Sequence, residues 1–295
     1  MYLNDFEYYA PGSAGEAFEL YGRMGDQAKV LAGGTDLLLM MKQKLINCRC
    51  LIDINGVKEF QGIEYEAGKG VNIGAATKIS ELESSTIIKE KYHALYQAAG
   101  ELGSAQVRAM ATVGGNNCNA SPAAETTSPL VVLKARAVLN STAGEREMPL
   151  EDFILGNRKT ALKKGELLVR FLIPDPAPGV VSRYANIGLR DAMEIDAVNM
   201  AVSVEIEPGS RTVKYLRLVM GSVSPRPLIS IEVPALLEGR EYNNDLIEKA
   251  AFAAAGEAKP ISDIRASAEY RREVVSVLAR RLLHEAFSAA EEVKK

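Results

Sequence analysis

Histidine occurs twice in 295 residues, at His93 and His284, and cysteine three times, at Cys48, Cys50 and Cys118. With two imidazoles, a histidine-based catalytic triad or a metal centre is hard to assemble within this chain. The cysteines form no C-x-x-C pair and fit no zinc spacing, and an odd number suggests free thiols in a reducing compartment. Basic residues are not in excess. A net charge of −3 and a pI near 5.7 leave no footprint for nucleic acid, which usually needs a basic face. No apolar run approaches the roughly 18 residues of a membrane span, and the first residues, MYLNDFEYYAPGS, lack the basic and apolar regions of a signal peptide. These absences predict a cytoplasmic protein with no membrane span and no nucleic-acid partner. Any redox chemistry would need a borrowed cofactor.

With 47% apolar and 25% charged residues the composition is that of a globular protein, and the length suits two or three domains. The segment SAGEAFELY carries a helical stripe of Ala17, Phe18 and Tyr21, ended by Gly22 and Gly25. AKVLA then reads as a strand, Thr35 or Asp36 as the cap of a helix from Leu37 to about Lys44, and Cys50–Ile54 as the next strand, which makes a βαβ unit. Gly70–Thr77 reads as a strand followed by a helix capped by Thr77 or Ser80, and a longer helix spans about Tyr92–Leu102. Ser121-Pro122 is a good N-cap and first-turn pair for another helix. ELLVRFLIP is a strand, and the Pro-rich stretch Pro174–Gly179 marks a domain boundary. Beyond it lies an antiparallel hairpin turning at Pro208-Gly209, then helices, the last with apolar positions at Val274, Val277, Leu278, Leu282 and Phe287.

The pattern that points to chemistry is a repeated glycine pair. Gly33-Gly34 stands between a strand and a helix, and Gly114-Gly115 precedes a loop rich in Asn and Ser. Glycine lets backbone come close to a ligand, and the N–H groups of a helix start suit a phosphate. A glycine pair also serves as an ordinary turn, and the polar residues Thr112, Asn116, Asn117, Asn119 and Ser121 could satisfy their own backbone. Neither G-x-G-x-x-G after a strand nor G-x-x-x-x-G-K-[ST] is present, so a Rossmann or P-loop site is excluded. Two such loops suit the two phosphoryl groups of a pyrophosphate, gripped from both sides.

In order and spacing, AGGTDLL, ATVGGNNCNASPAAETTSPL, GELLVRFLIP, RDAMEIDAVNMAVSV and KPISDIRASAEYRREVVSVLARRLL resemble the FAD-binding subunit of the molybdenum hydroxylases. That family includes the flavin subunits of bacterial xanthine, carbon monoxide and nicotinate dehydrogenases. The resemblance runs from about Phe6 to Leu283. It implies an α+β chain, with two α/β FAD-binding lobes at 1–56 and 57–176 followed by a C-terminal antiparallel β-sheet plus helix domain at 177–295. It also implies an oxidoreductase subunit with FAD as its cofactor and no catalytic side chain of its own. Its partners would be an iron–sulfur subunit with two [2Fe-2S] clusters and a molybdopterin subunit, in a dimer of heterotrimers, with NAD+ or another electron acceptor. Three cysteines could not ligate those clusters within this chain, and the Cys-rich loop of the 4-hydroxybenzoyl-CoA reductase branch is not present.

Carried over by position, Ala32, Gly33, Gly34, Thr35 and Asp36, led by Lys29, Val30 and Leu31, match the first pyrophosphate loop, and Thr112, Val113, Gly114, Gly115 and Asn116 match the second. Glu125 stands where the family usually has an aspartate touching the flavin's polar tail. Leu167 or Leu168 matches an apolar residue beside the isoalloxazine, and Tyr184 an aromatic against the flavin. Asn186 replaces a common lysine, and Arg190 keeps a basic residue whose plainer role is a salt bridge with Asp191 or Glu194. The last helix reads as a domain-closing amphipathic element that also offers Tyr270, Arg271 and Arg272 for docking the iron–sulfur subunit. Two other readings of the glycine loops are a non-redox module for a nucleotide or nucleotide-sugar and a stand-alone flavin reductase.

Overall fold

The computed structural model describes residues 3–190 and 193–292. Glu7–Tyr9 (β1), Ala28–Leu31 (β2) and Cys50–Asp53 (β3) form a parallel sheet ordered β1-β3-β2. Ala14–Met24 (α1) lies on it, buries Ala17, Phe18 and Leu20, and is capped by the Ser13 hydroxyl, which accepts from Glu16 N–H at 3.3 Å. Leu37–Lys42 (α2) completes the expected βαβ unit. Its expected side-chain cap does not form. Asp36 holds the N-cap position with helical backbone angles (φ −96°, ψ −52°) rather than extended ones, and its carboxylate takes no helix amide.

A second sheet contains Ile63–Glu66 (β4), Gly70–Gly74 (β5), Arg136–Ser141 (β6), Gly144–Pro149 (β7) and, after a small hairpin of Ile154–Gly156 (β8) and Lys159–Thr160 (β9), Leu167–Pro174 (β10). Its order is β4-β5-β10-β6-β7 and every pairing is antiparallel. Short helices cover it: Ile79–Ser84 (α3), Thr86–Lys91 (α4), His93–Glu101 (α5), Ala105–Met110 (α6), Val113–Cys118 (α7), Thr127–Val132 (α8) and Leu150–Phe153 (α9). The largest apolar cluster fills this layer, with Ile73, Leu95, Val131 and Phe171 among its buried members.

Two helix starts differ from expectation. α3 is entered at Lys78, whose N–H donates to the Glu81 carboxylate at 3.0 Å, while the Thr77 hydroxyl donates to the Gly62 carbonyl instead. Ser121-Pro122 opens a turn rather than a helix. The Ser121 hydroxyl accepts from Ala123 N–H and its carbonyl from Ala124 N–H, and α8 begins only at Thr127.

The C-terminal sheet consists of Val181–Ile187 (β11), Val198–Ile206 (β12), Val213–Gly221 (β13) and Leu228–Ile229 (β14), antiparallel in that order. The β12–β13 hairpin turns through Gly209, at φ +73°. Glu232–Leu237 (α10), Asn244–Glu257 (α11) and Ala268–Glu292 (α12) pack on one face of it. On α12, Val274, Leu278, Leu282 and Phe287 are buried as expected, but Val275 takes the core place assigned to Val277, which is half-buried. Among the described residues no helix is long and apolar enough to cross a membrane.

Candidate functional site

A groove of about 560 Å³ runs between the parallel sheet and the helices of the second sheet. That lies within the roughly 300–1,000 Å³ common for cofactor sites. Both glycine loops line it, through Lys29, Val30, Ala32, Gly33, Gly34, Thr35 and Asp36 on one side and Thr112, Gly115, Asn116 and Glu125 on the other.

The two loops present unlike surfaces. Leaving β2, the chain is held by Asn55, whose side-chain amide donates to the Ala32 carbonyl at 2.6 Å. Gly34 then adopts φ +71°, and its carbonyl accepts from Leu38 N–H. Among the described residues, the amides of Gly33, Gly34, Thr35 and Asp36 donate to no protein acceptor. In the second loop the amides are engaged: Val113 to the Thr77 carbonyl, Gly114 to Ala75 at 2.8 Å, Gly115 to the Thr112 hydroxyl at 3.1 Å and Asn116 to the Thr112 carbonyl. This loop therefore offers the groove side chains rather than N–H groups.

Two of the glycines are also hemmed in by the protein's own backbone. A Cβ on Gly33 would stand 2.3 Å from the Met110 carbonyl oxygen, and one on Gly114 would stand 2.5 Å from that of Ala75. At both positions the backbone brought close is the protein's own, and it seals the seam beneath the groove.

Several carried-over residues are not brought to the groove surface. Leu31 is half-buried against Met41 and Leu51, and Val113 and Gly114 are buried under the second loop. Leu167 and Leu168, each 5% exposed, point into two different apolar clusters. Tyr184, on β11, is 3% exposed, with its N–H on the Gln97 side chain and its hydroxyl donating to Asp196 at 3.2 Å. It lines a separate cavity of about 400 Å³ with Gln97, Glu101 and Asn186. Asn186 donates to Asp196 at 2.7 Å. Arg190 is exposed and reaches Glu194 at 3.9 Å, while its other suggested partner, Asp191, lies outside the described residues.

The groove contains residues that sequence reasoning missed. Leu102, Gly103, Val107 and Ala111, at and around α6, and Ile195, before β12, supply apolar wall. Arg158, at the tip of the β8–β9 hairpin, also lines it; its backbone is left-handed (φ +56°) and its N–H donates to the Ala120 carbonyl. The Gly-Asn before Arg158 was a usable turn signal. Lys29 and Arg158 are the cations lining the groove, and Arg158 opposes the upward push of burial on the Asp36 carboxyl. Burial, with help from the Asp196 charge, raises Glu125 to about 7, although Asn116 donates to it at 3.3 Å. Burial likewise raises Asp196 to about 6, against hydrogen bonds from Asn186, Asn199 and Tyr184. Past Asp36, Asn119, Ser121 and Ile195 the groove continues into a chamber of about 410 Å³ against the C-terminal sheet.

Residues 4–176 match the family described as FAD binding domain in molybdopterin dehydrogenase, and residues 183–286 the CO dehydrogenase flavoprotein C-terminal domain. The chain belongs to the FAD-binding subunits of the molybdenum hydroxylase family. Among relatives of this flavin subunit, the carbon monoxide dehydrogenase medium chain of Hydrogenophaga pseudoflava is 32% identical, over 96% of this chain and 97% of its own. The glyceraldehyde dehydrogenase medium chain of Sulfolobus acidocaldarius is 31% identical, over 97% and 99%. The xanthine dehydrogenase FAD-binding subunit of Escherichia coli O157:H7 is 30% identical, over 90% of each chain. A solved carbon monoxide dehydrogenase from Hydrogenophaga pseudoflava, lacking the Mo-pyranopterin moiety, superposes with a TM-score of 0.93, covering 98% of this chain and 99% of that one at 32% identity. The flavin subunit is thus part of an oxidoreductase and carries the family's FAD-binding domain. The groove fits such a cofactor: among the described residues, amides without protein acceptors, the cations Lys29 and Arg158 and an apolar wall suit a dinucleotide with a charged middle and flat ends.

Proposed function

We propose that this subunit holds one FAD non-covalently in the groove and passes electrons through it, from a partner subunit carrying two [2Fe-2S] clusters to an acceptor such as NAD+. A molybdopterin subunit would complete the complex, in a dimer of heterotrimers. In this reading 1–56 and 57–176 are the two FAD-binding lobes and 177–295 the third domain. The observation that carries it is the run of amides from Gly33 to Asp36, in residues that line a groove, with no protein acceptor among the described residues. Backbone N–H groups in such a run favour phosphate oxygens at little reorganisation.

Bound FAD would supply the redox chemistry that no side chain here provides. The chain's own tasks are binding and orientation. Gly33 to Asp36 would take the pyrophosphate, Arg158 and Lys29 would offset its charge, and Leu102, Val107 and Ile195 would exclude water beside the ring systems. Glu125, raised to about 7, is largely uncharged below neutral pH and so repels an anionic ligand less. The match of residues 4–176 to an FAD-binding domain favours the flavin dinucleotide over a nucleotide-sugar.

The test is uptake of FAD by the purified full-length chain, followed by absorption and flavin fluorescence. One FAD per chain, displaced by ADP only at higher concentration, is the expected result. A chain that stays colourless in excess FAD would remove the reading.

A further inference from the structure

Lys78 lies outside the groove lining yet touches what holds both loops. Its backbone bridges Thr112, the capping residue of the second loop, and on either side of it Ile79 N–H donates to the Ala111 carbonyl and Val113 N–H to the Thr77 carbonyl. Its ammonium donates to the Asn55 side-chain oxygen at 2.6 Å and to the Met110 carbonyl at 3.2 Å. Asn55 in turn donates to the Ala32 carbonyl, next to Gly33, and to the Asp53 carboxylate at 2.7 Å. Met110 is the residue whose carbonyl a side chain on Gly33 would strike.

We infer that Lys78 is a positioning residue for the groove: through Asn55 and the Met110 carbonyl it sets the spacing and tilt of the Gly33–Asp36 amides relative to the second loop. This rests on the reading of the groove as the FAD site. The lobes are packed together by a shared apolar cluster that includes Phe18 and Ile52 on one side and Val138, Leu167 and Val169 on the other. Apolar packing is non-directional, whereas the Asn55–Lys78 pair is a directional tie placed beside the Gly33 loop. It is half-buried, where a charge-assisted hydrogen bond is stronger than at an open surface. Burial also pulls the Lys78 ammonium below its ordinary value, against the opposing charges of Asp53 and Glu81.

The experiment compares the full-length chain with Lys78→Met, Asn55→Ala, the double variant and Lys78→Arg. It reads FAD affinity by fluorescence titration, the circular dichroism of bound flavin, and the melting temperature without FAD. Each single loss should weaken FAD by about ten-fold and alter the flavin dichroism, and the double variant should be no more than about two-fold weaker than either single, because both cut one tie. Lys78→Arg should recover part of the affinity. A purely structural role would lower the melting temperature and leave the affinity of the folded chain alone. Folded Lys78→Met that binds FAD within two-fold of the parent, with the parent's flavin dichroism, overturns the inference. Should Lys78→Met not fold, the same outcome in Asn55→Ala overturns it. A parent chain that binds no FAD overturns the groove reading itself, and this inference with it.

Discussion

At Gly33 a methyl group would meet the Met110 carbonyl oxygen at 2.3 Å and the Ala111 Cα at 2.7 Å, both of them backbone atoms with no rotamer to escape into. Gly33→Ala should therefore destabilise the ligand-free chain by about 1–3 kcal/mol, the usual range for overpacking, read as a lowered melting temperature without FAD. An unchanged melting temperature together with lost FAD binding would mean that the glycine is kept for the ligand instead. Gly115 is a different case: outside its own helix backbone, its added carbon would meet the Thr112 hydroxyl oxygen, a side-chain atom, at 2.9 Å. The glycine pairs were legible as the places where the groove is made. Their reasons were not, because glycine is chosen alike for approach to a ligand and to another stretch of backbone.

Among the elements, the β8–β9 hairpin brings the most to the groove for its size. Its strands have three and two residues, too few for any alternation to show, and it places Arg158 within 3.5 Å of the Asn119 side chain. Left-handed backbone at Arg158 favours glycine, so Arg158→Gly removes the cation while easing the turn. FAD affinity should fall by about ten-fold, as for loss of one charge-assisted contact, with the melting temperature held within a few degrees. Equal affinity would place the pyrophosphate elsewhere. Longer elements were easier to read. The βαβ unit and the β12–β13 hairpin show clear apolar periodicity, as does α12 apart from the slip between Val275 and Val277. By contrast β7, GEREMP, is a charged edge strand that buries little and so carries no pattern to detect. The helix expected at Ser121-Pro122 failed for a tertiary reason, since the Pro122 carbonyl accepts from Ser222 N–H across the molecule at 2.7 Å.

Over the whole molecule, the second sheet's helices and the C-terminal sheet meet around Asp196. It accepts from Tyr184 and Asn186 on β11 and from Asn199 on β12, and Asn199 in turn accepts from Ser128 on α8. Asp196 at about 6 and Glu125 at about 7 both lie above the ordinary carboxyl range. A carboxyl raised by folding favours the folded state below its unfolded value, near pH 4, and that preference is lost as the pH climbs through the folded value. Stability of the ligand-free chain should therefore fall between about pH 4 and pH 7. Glu125→Gln should flatten part of that slope, by about 1–2 kcal/mol once groove solvent is allowed for; denaturant unfolding across the range checks it, and a variant with the parent's slope would contradict it. This junction joins residues far apart in sequence, which is why Glu125 and Asn186 could be singled out one at a time but not as neighbours of a single carboxylate.

The unequal glycine loops also bear on how fast a ligand could come and go. A pyrophosphate gripped by amides of both lobes could leave only when the lobes part, whereas here the second loop's hydrogens are already taken by Ala75, Thr77 and Thr112. Departure would require rehydrating one short run of amides on one wall. Cofactor exchange should then be governed by local solvation and side-chain contacts, with the seam at Gly33 closed throughout.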